Sequence, residues 1–151
     1  MSDFNKLKEQ IVAEMKSAMK SGDKQRLATI RLILSAVKQV EVDTRSDVSD
    51  QDMISILDKM AKQRRESIEQ FEKAGREDLA DTEKSELAII SEYLPQALSE
   101  EDINQLIEQA LVKTSATSMK DMGAVMAELK PELQGRADMS QVSKLIKSRL
   151  S

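Results

Sequence analysis

The chain has 151 residues, of which 40% are apolar and 2% aromatic, and its 27 acidic and 23 basic side chains leave a net charge of −4. It contains no cysteine, no histidine and no tryptophan, which excludes disulfides, thiolate chemistry and the usual zinc, haem, iron–sulfur, Ser-His-Asp and Cys-His sites. Chemistry could come only from carboxylate, lysine, serine or tyrosine groups, and no global charge draws the chain toward nucleic acid.

This length holds one domain or two small ones. With so few rings the core has to be built from Leu, Ile, Val, Met and Ala, which suits packed helices. No apolar run approaches a membrane span, and residues 1–20 mix Lys and Glu without an apolar h-region. The expectation is a soluble, cytoplasmic protein with no membrane partner, no metal and no cofactor.

Phe4, Leu7, Ile11, Met15, Ala18 and Met19 follow a helical period, which Gly22 stops, leaving Asp23 to cap the next helix. That second helix, roughly Lys24 to Val42, has its main stripe at Leu27, Ile30, Ile33, Leu34, Val37 and Val40. Leu32 and Ala36 lie off the stripe, so the helix is expected to be covered on two sides, as the centre of an N-terminal bundle. Ser49 and Asp52 have the spacing of a capping box for a third helix with Met53, Ile56, Leu57, Met60, Ile68 and Phe71, ending near Gly75. Its surface carries i,i+4 pairs such as Arg65–Glu69 and Glu69–Lys73. Leu87, Ile90 and Leu94 mark a fourth helix, which Pro95 ends at or just after Leu94.

"SEED" from Ser99 repeats the capping spacing ahead of Ile103, Leu106, Ile107, Ala110 and Leu111. After the polar connector "TSATS", Ser118 and Asp121 form a third such pair, followed by Met119, Met122, Val125, Met126 and Leu129. Asp138, with Gln141, can cap a last helix holding Val142, Leu145, Ile146 and Leu150. No strand alternation and no short repeat is found. The reading is an all-α protein: a four-helix unit over 1–96 and a small three-helix unit over 97–151, the second near the lower limit for independent folding.

Charge is unevenly placed. From Leu111 onward there are 7 basic against 4 acidic residues, and Lys120, Lys130, Arg136, Lys144, Lys147 and Arg149 all fall there. They could track a phosphate backbone, or form a solvated face with cations where the helix macrodipole favours them. No aromatic residue lies in this part, so base stacking is not available and any RNA would be read by backbone and shape. In "KPELQGRADMS" the expectation is a turn: Pro131 ends one helix, Gly135 supplies positive φ, and Asp138 starts the next. Arg136 then sits beside free amides at a helix N-terminus, in reach of an anion or of Asp138 or Glu132. The arginines of "KQRRES", with Glu66, Glu69 and Glu72 among them, read as a salt-bridged face. Met119, Met122, Met126 and Met139 read as core filler, with a pliable partner groove as the alternative.

The segments "TIRLILSAVKQVEVD", "KQRRESIEQFEKAGREDLADTEKSELAIISEYLPQALSEEDI" and "SMKDMGAVMAELKPELQGRADMSQVSKLIKSRL", in this order, resemble the GatB/YqeY family over essentially the whole chain. The C-terminal part is similar to the tail domain of GatB, the B subunit of the tRNA-dependent amidotransferase. In that enzyme the B subunit activates glutamate or aspartate on tRNA with ATP, ammonia comes from a separate amidase subunit, and catalysis lies in another domain. The resemblance therefore implies a helical module that engages tRNA or a tRNA–enzyme complex, and raises Lys130, Arg136, Lys144 and Lys147 as contacts. It does not transfer catalysis, because the chain has no Gly-rich phosphate loop and no Ser-Ser-Lys amidase segment. Carbon–nitrogen ligation with glutamine as amide donor belongs to the complex. Three readings stand: a tRNA-associated adaptor, a protein–protein adaptor, and an amidotransferase-like enzyme for which no nucleotide or glutamine site is found.

Overall fold

The computed structural model describes residues 6–151, and every regular element among them is helical. The α-helices are α1 Lys6–Ser21, α2 Lys24–Thr44, α3 Asp50–Lys73, α4 Glu77–Glu92, α5 Glu100–Thr114, α6 Met122–Leu133 and α7 Met139–Leu150, with a 3-10 turn at Met119–Asp121. The all-helical expectation holds. Internal packing divides the chain into two compact units, one ending at Leu94 and the other running Pro95–Ser151.

In the first unit, Ile11, Ile30, Ile33, Val37, Val48, Met53, Leu57 and Ile90 are fully enclosed, and Tyr93 closes the cluster. Apart from Val48 in the α2–α3 loop and Tyr93 just past α4, these are periodic positions of α1 to α4, so hydrophobic spacing selects the face each helix buries. Burying one such aliphatic side chain removes about 1.5–3 kcal/mol of unfavourable hydration. Polar clips at helix ends set the register. Asp50 Oδ1 accepts the Leu7 amide at 2.9 Å, and Lys8 pairs with Glu41 at 2.7 Å. The first fills an amide left open at the start of α1, and the second joins the start of α1 to the end of α2. At the other end of α1, Gly22 adopts φ 75° and the Asp23 amide reaches back to the Ala18 carbonyl at 3.1 Å. This is a left-handed helix stop of the kind glycine permits. Asp23 then caps α2 by accepting from Arg26 N, and Ser49 and Asp52 form the full reciprocal box on α3.

Several expectations need correction here. Leu32 is 43% and Met19 52% exposed, so neither belongs to a buried stripe; Ala36 does pack on the core. α4 ends at Glu92, before Leu94, because the Tyr93 and Leu94 amides turn back to Ile90 and Ser91 in tighter i→i−3 bonds. Phe4 lies outside the described residues. Of the arginines at 62–67, Arg64 reaches across to Glu86 at 3.2 Å and Glu83 at 3.9 Å, so it ties α3 to α4. Glu69–Lys73 forms at 3.0 Å within α3.

In the second unit, Ile107 and Ala110 of α5, Val125, Leu129 and Leu133 of α6, and Val142, Ile146 and Leu150 of α7 make a separate aliphatic core. Met122, Met126 and Met139 pack against it, whereas Met119 is 44% exposed. Ser99 caps α5 through the Asp102 amide at 3.1 Å.

Replacing Ser49 by Ala removes one half of the reciprocal cap and is expected to lower the unfolding free energy by about 1 kcal/mol, read from the denaturant midpoint. A second outcome concerns Tyr93, whose hydroxyl donates to Glu14 Oε1 at 3.1 Å. Burial first, and the Glu14 charge second, push its phenol from 10.0 up to about 12. The folded value is raised, so its contribution to stability is complete below pH 10 and is lost as pH rises from there toward 12. As the chain has one tyrosine, phenolate absorbance titrates this group alone; a midpoint near 10 in the folded protein would contradict the buried hydrogen bond.

Candidate nucleic-acid interface

The turn between α6 and α7 brings the second unit's first residues to its last helix. α6 runs through Pro131 to Leu133, so proline does not end it as expected. Pro131 lacks an amide and forgoes one bond to the preceding turn, but only one turn remains to be lost. Continuing the helix places Leu133 in the core, where it is fully buried. Gly135 follows with φ 78°, a left-handed conformation that costs a side-chain-bearing residue about 1–2 kcal/mol. Asp138 caps α7, as expected, but its Oδ1 accepts from the Ser140 amide at 2.9 Å. The Gln141 amide goes to the Asp138 carbonyl at 3.0 Å, so the expected Asp138–Gln141 pairing is made by backbone.

Arg136 is held within this turn. Its Nε donates to the Gln96 carbonyl at 3.1 Å, its carbonyl accepts the Leu98 amide at 2.9 Å, and its own amide donates to Leu133 at 2.9 Å. The residue is half-buried. It thus clasps the strand of chain that enters the second unit against the turn that leaves α6, instead of pairing with Asp138 or Glu132.

The other cations of this unit fall into two groups. Arg149 on α7 pairs with Glu108 on α5 at 2.5 Å, beside Glu100 and Glu101 in one shallow groove. Lys113 pairs with Glu128 at 2.5 Å, and that hydrogen bond raises the lysine's pKa. Lys120, Lys130, Lys144 and Lys147 are exposed, and none forms an ion pair among the described residues. Lys144 and Lys147 stand three residues apart, so their side chains are neighbours on α7. Val142, Ile146 and Leu150 fill the buried side of the same helix. Asp121, next to Lys120 in sequence, is tied to the backbone and keeps its negative charge. Its carboxylate accepts the Thr117 amide at 2.8 Å and the Ser118 amide at 3.2 Å, and these bonds hold its pKa below the ordinary value.

The structure thus separates the six basic candidates into four open lysines and two occupied arginines. Sequence reasoning, centred on the second unit, passed over α2, where Lys24, Arg31, Lys38 and Arg45 are all exposed. The available signal was the absence of Asp and Glu from Lys24 through Val40.

Removal of the Arg136 side chain in Arg136→Ala is expected to lower stability by about 1 kcal/mol through loss of the Gln96 bond. The measurement is urea unfolding followed by helical signal; an unchanged midpoint would return Arg136 to the set of free cations.

Comparison with known proteins gives the family. The sequence pattern of the family described as Yqey-like protein matches residues 8–150. Altered inheritance of mitochondria protein 41, mitochondrial, of Pyrenophora tritici-repentis is 31% identical over 137 residues, which cover 89% of this chain and 75% of that protein. The protein of the same name from Clavispora lusitaniae is 31% identical over 134 residues, covering 86% and 78%. That of Saccharomyces cerevisiae is 32% identical over 122 residues, covering 77% and 66%. Others are matched over less of their length, 55% for Lachancea thermotolerans and 50% for Eremothecium gossypii.

Proposed function

The chain belongs to the Yqey-like family, and from that premise we propose that it is a non-catalytic helical module that binds tRNA, or a tRNA–enzyme complex, through its second unit. The observation that carries this reading is the division of cations in that unit. Lys113 and Arg149 are neutralised by glutamates, whereas Lys120, Lys130, Lys144 and Lys147 stay exposed with no ion pair among the described residues. Open lysines can exchange condensed counterions of a phosphate backbone for direct contact. Likeness of the C-terminal part to the tail domain of a tRNA-dependent amidotransferase subunit supports the same partner. With no aromatic residue in the unit, recognition rests on backbone and shape.

We assign the amide-forming chemistry to the partner enzyme. Composition suggested a cytoplasmic protein, whereas the relatives named above carry the word mitochondrial. Either compartment holds tRNA, and no helix of the described residues is long and apolar enough to cross a membrane. A protein-binding reading draws on a different observation: Val112 is 78% exposed and Met119 44%, apolar surface that a partner could cover.

The test is binding of unfractionated tRNA across a salt series by the wild type and by Lys144→Ala/Lys147→Ala. The double variant is expected to bind more weakly, with its salt dependence reduced by about one unit of slope per lysine. A wild type that does not bind at low salt would sink direct RNA recognition and leave the protein-binding reading.

A further inference from the structure

Lys24, Arg31, Lys38 and Arg45 are four cations spaced seven residues apart along α2 and its cap. Seven residues are nearly two helical turns, so the four stay on one side of the helix at intervals of about 10 Å. Ala28 and Ser35 alternate with them, each four residues beyond a cation, and all six residues are exposed. Thr29, Ile30, Ile33 and Val37 occupy the buried side. The outer edge of α2 is therefore a row of long cationic side chains, with small side chains in the first two intervals and the exposed Val42 in the third.

Solvated helix faces ordinarily interleave acids at i,i+4. Here no Asp or Glu occurs from Lys24 through Val40, the longest acid-free stretch in a chain of net charge −4. The surrounding acids are engaged elsewhere. Asp23 and Glu92 hold Arg26, Glu41 holds Lys8, and Asp43 accepts from Gln39. At the end of the row Glu41 and Asp47 share a shallow concavity with Lys38 and Arg45. The Lys8 hydrogen bond first, and the Lys38 charge in addition, hold the Glu41 pKa down, so the acid-free part of the row is Lys24 to Arg31 and the near side of Lys38. No ion pair of the described residues includes any of the four cations.

We propose that this row on the first unit is a contact surface for the phosphate backbone of a folded RNA. The proposal rests on the reading that the protein engages tRNA, and adds a second surface to it. The small residues let a phosphate strand lie close to the helix, and the row, about 30 Å long, spans several phosphates. A protein partner would draw on aromatic or aliphatic anchors; the row has no aromatic residue, and its exposed aliphatics are Val42 near one end and Leu32 beside Arg31.

The experiment measures binding of unfractionated tRNA to the full chain over a salt series. Wild type is compared with Arg31→Gln/Lys38→Gln, Arg31→Glu/Lys38→Glu and Lys144→Ala/Lys147→Ala. The glutamine pair is expected to weaken binding and reduce the salt slope by about two, with an unchanged melting temperature, and the glutamate pair to weaken it further. Lys24→Gln/Arg45→Gln repeats the test at the two ends of the row should the central pair disturb folding. If wild type binds and the α2 variants bind equally well with the same slope, the row is not a contact, whatever the Lys144/Lys147 variant does. Absence of binding by wild type overturns both surfaces together. Polyglutamate that displaces tRNA at equal charge would also overturn the assignment, since the row would then serve acidic protein.

Discussion

Aliphatic contact has no direction, and both cores of this protein are almost wholly aliphatic. Methyl and methylene groups reward burial in proportion to area and say little about which way a helix runs or where it slides. With no tryptophan, no cysteine and 2% aromatic residues, the chain has to take its geometry from polar groups, and it places them at helix ends. Asp50 receives the first turn of α1, Lys8 meets Glu41, Arg26 meets Glu92 at 2.7 Å, and the Tyr93 hydroxyl meets Glu14. In the second unit Arg136 does the corresponding work on Gln96 and Leu98. Each bond is modest in net free energy, but each is satisfied in one register only.

Those positions also separate what could be read in the sequence from what could not. Local signals were legible because their cause is local. The Ser49–Asp52 box, the Asp23 cap, the Gly22 stop and the buried faces at Ile30, Ile33, Val37, Ile107, Val142 and Ile146 follow from spacing within a few residues. Pro131 misled because the rule against proline weighs a lost backbone bond, whereas here Leu133 had a core to enter. Leu32 misled in the opposite sense, since hydrophobicity marks what can be buried and not whether a neighbour arrives to cover it. The partners of Arg136 and Arg149 lie forty and forty-one residues away in sequence, and nothing local announces such pairings. Which cations remain open is a property of the folded chain.

Net charge concealed a division of labour. A total of −4 describes a chain that repels polyanions on average, yet attraction at contact depends on charges within about a Debye length, roughly 10 Å at moderate salt. Glu108 and Glu128 cancel their cations where α5 meets α7 and α6. Elsewhere, on the solvent side of α7, Lys144 and Lys147 have no acidic neighbour on their own helix, and on α2 the first acid after Lys24 is Glu41. The net charge therefore says little about the field at any one patch of the surface.

The packing of neighbours in sequence has a kinetic consequence. α1 lies on α2, α3 on α4 and α5 on α6, so much of the helix packing joins segments separated by a single short turn. Closing such short loops loses little chain entropy, and proteins rich in local contacts fold in microseconds to milliseconds. The first unit ends at Leu94 and closes its own core. Domains fold as units in the order of their synthesis, so the first can be complete on the ribosome before Arg136 has been added to clasp the second.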